Sequence, residues 1–191
     1  MKKMTINQIL FRQGLCLILT LLVAFSNSSL AQSNKSWTTV GSAGTVNDDD
    51  VSNVSLLGGG IAALSNTAPA STTAIIRYNV VAVDGLLVTG FPKMTVRYQD
   101  NGANAQVRVC LWEYDFTTPQ LTQVLCFDSN DFGSSGSLQT QSTEPCDDAG
   151  FSFDFTHKAY YLEAQLIRTA ATGFPKLATV HLSSVDVNCN Q

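Results

Sequence analysis

The stretch AQVRVCLWEYDFTTPQLTQVLCFD, residues 105–128, alternates through both of its arms. In 105–114, Val107, Val109 and Leu111 project to one side and Arg108, Cys110, Trp112 and Tyr114 to the other, the period-two pattern of a β-strand. Residues 121–128 form a second arm, and the intervening 115–120 carries turn chemistry around Thr118 and Pro119. A hairpin closed near Thr118 sets Leu111 opposite Leu125, Val109 opposite Phe127, Cys110 opposite Cys126 and Trp112 opposite Val124. One face then reads as core. The other gathers a cysteine pair, an arginine and two aromatics, so Arg108, Trp112 and Tyr114 are the residues offered for ligand binding. Aromatics more often cover a sheet than bind a ligand, and full burial of Trp112 and Tyr114 would mark plain packing.

Similar alternation runs outward from this hairpin. Upstream, residues 74–83 place Ile76, Tyr78, Val80 and Ala82 on one face; Asp84-Gly85 signals a turn, 86–88 a short strand, and Met94, Val96 and Tyr98 alternate up to the turn Asp100-Asn101-Gly102. Downstream, 129–149 is polar, rich in Ser and Gly and without periodicity, which reads as a long loop of functional interest. Phe151, Phe153 and Phe155 recur at every second residue before the turn Thr156-His157-Lys158 and a strand over 159–168. The pentapeptide TGFPK occurs at 89–93 and at 172–176, each time before a strand, and implies equivalent corners with the proline outside the hydrogen-bond ladder. In the last strand the apolar phase slips from Ala178, Val180 and Leu182 to Val185 and Val187, which a β-bulge at Ser183-Ser184 accounts for.

Residues 32–72 are a polar Gly-, Ser- and Asp-rich segment in which only 37–40 and 61–64 look like strands. Gly58-Gly59-Gly60 lacks the Lys-Ser/Thr of a phosphate loop and marks a flexible connection or a close backbone approach. No stretch beyond residue 31 has a helical period. Seven or more short strands between turn signals predict an all-β fold, a single antiparallel β-sandwich of jelly-roll-like or related Greek-key type, with its body at 73–191. Such an architecture resembles the β-sandwich modules appended to secreted glycan-active enzymes; that likeness is one of architecture, and fold alone does not assign function.

The first 31 residues read as a secretory signal peptide: Lys2, Lys3 and Arg12 lead an apolar run at 15–25, and Ser29-Leu30-Ala31 supplies a cleavage site before Gln32. No later stretch approaches the ~18 apolar residues of a spanning helix. Without the signal, eight of the 11 Lys and Arg remain against 15 Asp and Glu, a net charge of −7. An acidic chain without a basic patch argues against nucleic acid or anionic membrane as partner and leaves a divalent cation or a neutral polymer. Four cysteines remain, Cys110, Cys126, Cys146 and Cys189, an even set that predicts disulfides in a secreted or periplasmic protein. The pairing favoured is Cys110 with Cys126 and Cys146 with Cys189. No two have the short spacing of a zinc site.

Catalytic signatures are missing. His157 and His181 belong to no metalloprotease motif, and no nucleophile elbow or flagged carboxylate pair occurs, so a secreted hydrolase is the least supported class. The run Asp128-Ser129-Asn130-Asp131-Phe132-Gly133 begins like a calcium loop, but Phe132 and Gln139 stand where an EF-hand needs ligands, and a strand precedes it. An isolated calcium site at Asp128, Asn130 and Asp131, or at Asp48–Asp50, is the one cofactor expectation. Two functions stay open: a non-catalytic extracellular module that binds a glycan or other extracellular ligand, and a structural or envelope-associated protein.

Overall fold

In the computed structural model, residues 36–82, 91–143 and 151–185 are described. The signal segment, the 84–88 turn and strand, Val187, and the Cys146–Cys189 pairing lie outside the described residues. Eleven strands follow in order: β1 (Trp37–Val40), β2 (Thr45–Val46), β3 (Val54–Leu57), β4 (Ile61–Leu64), β5 (Thr72–Val80), β6 (Phe91–Asp100), β7 (Ala105–Asp115), β8 (Gln120–Asp128), β9 (Ser135–Ser142), β10 (Lys158–Arg168) and β11 (Lys176–Val185). They form two antiparallel sheets. The six-stranded sheet runs β3-β4-β11-β6-β9, with β1 sharing an edge of β11 with β4; the five-stranded sheet runs β2-β5-β10-β7-β8.

Alternation decides which side chains meet between them. From the five-stranded sheet Ile76, Tyr78, Val107, Val109, Leu111, Leu125, Phe127, Leu162 and Leu166 point inward; from the other come Met94, Val96, Tyr98, Leu177, Val180 and Leu182, all buried. Each such side chain contributes roughly 1.5–3 kcal/mol on burial. The two inner layers touch where the Tyr98 ring meets the Phe127 ring edge-on, centroids 5.1 Å apart. At one end Phe151, Phe153 and Phe155 close over Tyr160, whose phenol receives the Asp154 N–H at 2.9 Å.

Polar groups trapped in the sandwich are paired. Ser129 donates its hydroxyl to the buried Asp100 carboxylate at 2.5 Å and accepts the Val107 N–H at 2.9 Å, tying β6, β7 and the turn after β8 together. The Tyr78 hydroxyl reaches the Gly41 carbonyl at 2.6 Å, and burial pushes that phenol well above its ordinary pKa. Buried Arg168 donates to the carbonyls of Ala68 and Pro69. Tyr98 is an exception, its hydroxyl unpartnered; burial first, and Asp100 second, push its pKa up to about 12.

Several features depart from the expectations drawn from the sequence. Within 32–72, where only 37–40 and 61–64 look like strands, β2 and β3 are strands too, paired with β5 and β4. Residues 135–142 are not loop but β9, paired with β6 from Thr95↔Ser142 to Asp100↔Ser135. As an edge strand it is held by backbone bonds on one side and needs no apolar stripe. The bulge in β11 sits at Ala178, between Leu177 and Thr179, whereas Ser183 and Ser184 pair in unbroken register with Lys93 and Pro92. A second bulge at Val124 brings Trp112 opposite Gln123 instead of Val124. Strand β5 ends at Val80, leaving Ala82 exposed.

Thr89 and Gly90 of the first TGFPK copy lie outside the described residues; its Phe91, Pro92 and Lys93 open β6, whereas Pro175 stands just before β11, and because β6 and β11 pair antiparallel these are opposite ends of one sheet and not equivalent corners. The three glycines turn the β3–β4 hairpin. Gly59 and Gly60 take φ of 77° and 84°, and a Cβ on Gly60 would lie 2.9 Å from Val40. Both readings of that run, connection and close approach, therefore apply to it.

Ser129→Ala is expected to leave a buried carboxylate oxygen and a buried N–H without partners and to lower unfolding free energy by about 2–4 kcal/mol. Urea denaturation followed by tryptophan fluorescence checks it.

Candidate functional site

Pointing Val107, Val109 and Leu111 into the core sends Arg108, Cys110, Trp112 and Tyr114 to the outer face of the five-stranded sheet. Cross-strand register arranges that face in rows. One row reads Asn79, Tyr161, Trp112, Gln123 across β5, β10, β7 and β8. Toward the hairpin tip follows Ala159, Tyr114, Leu121, and on the other side Arg77, Glu163, Cys110, Cys126. Directly opposed residues on neighbouring strands have Cβ atoms about 4.5–5.5 Å apart, so Trp112 and Tyr161 are side-by-side neighbours.

Trp112 and Tyr161 are half-buried, as ring systems lying on a sheet are, while Tyr114 is 39% exposed and Leu121 51%. Tyr114 meets Phe116 of the hairpin loop edge-on at 6.0 Å. The Trp112 indole nitrogen is buried without a hydrogen-bond partner. Burial first, then the Glu163 carboxylate, raise the Tyr161 pKa. Full burial, the mark of plain packing, thus holds for neither Trp112 nor Tyr114.

The groups around the ledge are polar and fixed. Arg77 bonds Glu163 at 2.9 Å through one guanidinium nitrogen and at 3.0 Å through another, and reaches Asn47 at 3.1 Å; Gln165 holds the second Glu163 oxygen at 3.1 Å. An exposed pair of this kind adds at most about 1 kcal/mol to stability, but it orients the side chains. The expected Cys110–Cys126 disulfide is present and fastens β7 to β8 below the Trp112 row. Arg108 lies opposite Asp128 in the ladder, yet its guanidinium donates to the Cys126 sulfur at 3.9 Å.

Asp128 is otherwise engaged. Both of its oxygens accept from the Gln106 amide, at 2.8 and 2.7 Å, and one also accepts the Asn130 N–H at 3.0 Å, capping the turn Ser129–Asp131. Asp50 spends an oxygen on the Ile75 N–H at 2.9 Å, at the edge of β5. Among the described residues no three His, Cys, Asp or Glu side chains converge as metal ligands. Asp128 and Asp131 instead line, with Gln123, Phe132 and Thr143, a cleft of about 490 Å³ along the β8 edge.

The histidines sit apart from this face. His157 bonds Asp154 at 2.9 Å in an exposed turn, and His181 meets the Thr38 hydroxyl at 2.7 Å on the opposite sheet. Among the described residues, neither imidazole hydrogen-bonds a serine or cysteine. The residue that reading the sequence missed is Tyr161; in AYYLEAQLIR alternation marks Tyr160 as inward and Tyr161 as outward, but only the β10–β7 register shows it beside Trp112.

No known protein family matches the chain, and no characterised protein matches it in sequence. Solved structures resemble it loosely. A "xylan-binding module CBM15" superposes with TM-score 0.48 at 8% identity over 82% of this chain and 100% of that one. The CBM36-1 domain of a multidomain xylanase from the hindgut metagenome of Trinervitermes trinervoides gives 0.45 at 14% identity, over 80% and 100%. A CBM36 module in complex with calcium and xylotriose gives 0.42 at 12%, over 77% and 99%. Superpositions this loose carry no statement about a ligand.

Two outcomes follow from the carboxylates. Asp128→Ala removes a cap and is expected to cost about 1–2 kcal/mol, equally in calcium and in chelator; a loss confined to calcium would make Asp128 a metal ligand. Asp115 caps the hairpin loop beside Tyr114, and the Thr117 hydroxyl, then the Thr117 N–H, hold its carboxyl below the usual range. A lowered native pKa stabilises the fold above the ordinary carboxylate range and stops doing so as pH falls through the native value. The melting-temperature gap between the parent and Asp115→Ala should therefore be widest at neutral pH and close in acid.

Proposed function

We propose that this protein is an extracellular carbohydrate-binding module and that the outer face of its five-stranded sheet is the binding surface. The observation that carries the reading is the direct cross-strand pairing of Trp112 with Tyr161 on the solvent side, continued by exposed Tyr114. A sugar ring offers an apolar C–H face and a rim of hydroxyls. Paired aromatic side chains bordered by Asn79, Gln123 and Gln165 amides and the Arg77–Glu163 pair complement both.

Stacking on neighbouring rings of a rigid sheet fits an extended neutral chain, since the ledge is ordered before binding and little entropy is lost there. Arg108 stands two rows from Trp112 and has a lesser part. The Cys110–Cys126 disulfide supports an oxidising compartment, in keeping with the signal-like N-terminus.

The test is retention of the purified protein on insoluble polysaccharides, with calorimetry against β-1,4-linked hexasaccharides of glucose, xylose and mannose, in calcium and in chelator. Trp112→Ala and Tyr161→Ala are each expected to weaken binding at least tenfold, about 1.4 kcal/mol, with a small change in melting temperature. Calcium-dependent retention would add a cation to the ligand set. No retention on any polysaccharide by the parent would sink the reading and favour a structural role.

A further inference from the structure

A second aromatic is held in the open on the opposite sheet. The corner between β10 and β11 is clamped to the β6–β7 turn: the Phe174 N–H donates to the Asn101 side chain at 2.6 Å, and the Asn101 amide donates to the Thr172 carbonyl at 2.8 Å. Asn104 bonds the hydroxyls of Thr172 and Thr169, each at 3.1 Å. Gly173 packs so closely that a Cβ there would lie 1.9 Å from the Asn104 carbonyl oxygen. Between buried Gly173 and buried Pro175, Phe174 alone projects, 42% exposed. The corner's backbone is thus held in place while the ring it carries keeps one side open to solvent.

Phe174 borders a cleft of about 360 Å³. Its base is one cross-strand row, Ser55, Ala63, Lys176, Gln99 across β3, β4, β11 and β6, in which the small Ala63 leaves a trough. Leu57, 44% exposed, stands on the same face as Ser55, and Asn66 also lines the cleft. The lining thus offers an aromatic and an aliphatic wall with two amides, a hydroxyl and an ammonium group. It contains no carboxylate, which disfavours a cation, and its polar row disfavours a purely apolar guest.

We infer that this cleft is a second saccharide subsite, taking one neutral sugar ring with its C–H face on Phe174 and its hydroxyls on Gln99, Asn66 and Lys176. Its size lies at the small end of the range for small-molecule sites, about 300–1,000 Å³, which suits a single ring better than a chain. The ligand class is that of the proposed function, but no residue is shared with the Trp112–Tyr161 ledge, so either site can fail alone.

Calorimetry with the same three hexasaccharides, on the whole protein, reads the number of equivalents bound. The parent is expected to bind two, and Phe174→Ala and Trp112→Ala one each; Phe174→Ala should stay folded with a modest drop in melting temperature, and Phe174→Trp should tighten the second site. In amide NMR spectra, Ser55, Gln99 and Lys176 should shift on titration in the parent and in Trp112→Ala, but not in Phe174→Ala. One equivalent in the parent, lost with Phe174→Ala and kept in Trp112→Ala, would support the subsite while refuting the ledge. Unshifted cleft amides, or stoichiometry and affinity untouched by Phe174→Ala, would overturn the subsite whatever the ledge does.

Discussion

The register of β7 between β8 and β10 is the constraint on which the candidate surface depends. Side chains alternate with period two, so a slip of one residue would carry Val109 and Leu111 to solvent and Trp112 into the core. Several interactions oppose the slip. Leu111 is paired with Leu162 on one side and Leu125 on the other, all three buried. The disulfide pins Cys110 to Cys126, and Ser129 receives the Val107 N–H at the start of the strand. Eleven consecutive pairs between β7 and β10 run without a shift from Lys158↔Asp115 to Arg168↔Ala105, so Trp112 and Tyr161 are aligned by the same ladder that builds the core.

Closing the ends of the sandwich is a separate demand, met by side chains that a pattern of apolar residues does not reveal. Asp100 and Arg168 are both 3% exposed, yet they do not pair with each other. Asp100 is satisfied by Ser129 and the Gly102 N–H, Arg168 by carbonyls of the segment before β5. Each solution fastens a loop to the body. In the same way Asp50 satisfies an N–H of β5 beyond the two residues covered by the short β2. Asp128 and Asp50, two of the carboxylates offered as metal ligands from the sequence, accept from amide and backbone donors here, a common arrangement for an acidic turn residue.

What was legible in the sequence was what alternation writes. The central hairpin, the opposition of Cys110 with Cys126, the inward residues of β5 and β6, the strand β10, and the isolated strands β1 and β4 all carry an apolar stripe or a turn signal. Strand β9 does not: SGSLQTQS reads as loop because an edge strand is specified by its neighbour's free N–H and C=O groups. Bulges escaped for a related reason. The apolar phase around Ala178 is compatible with a slip at either of two places, and only pairing with β6 selects Leu177/Thr179. Tyr161 and Phe174 were visible as aromatics, but their neighbours come from distant segments, 49 residues away for Trp112 and more than 70 for Asn101, so their surroundings belong to topology.

Energetics distinguish those two aromatics from ordinary surface residues. A half-exposed side chain contributes only part of its burial energy, and the backbone around it need not be closely specified. Around Phe174 the backbone is closely specified: two asparagine side chains, two threonine hydroxyls and a glycine with no room for a Cβ set the corner that carries a half-exposed ring. Tyr161 is similarly held, between Asn79 and Trp112 in an unbroken ladder and one row from the Arg77–Glu163 pair. Ordering a side chain in advance costs conformational entropy of up to about 2 kcal/mol during folding. A binding step that meets a side chain already ordered has less left to order, which is the advantage that the proposed glycan surface would draw from Tyr161 and Trp112 paired on an unbroken ladder.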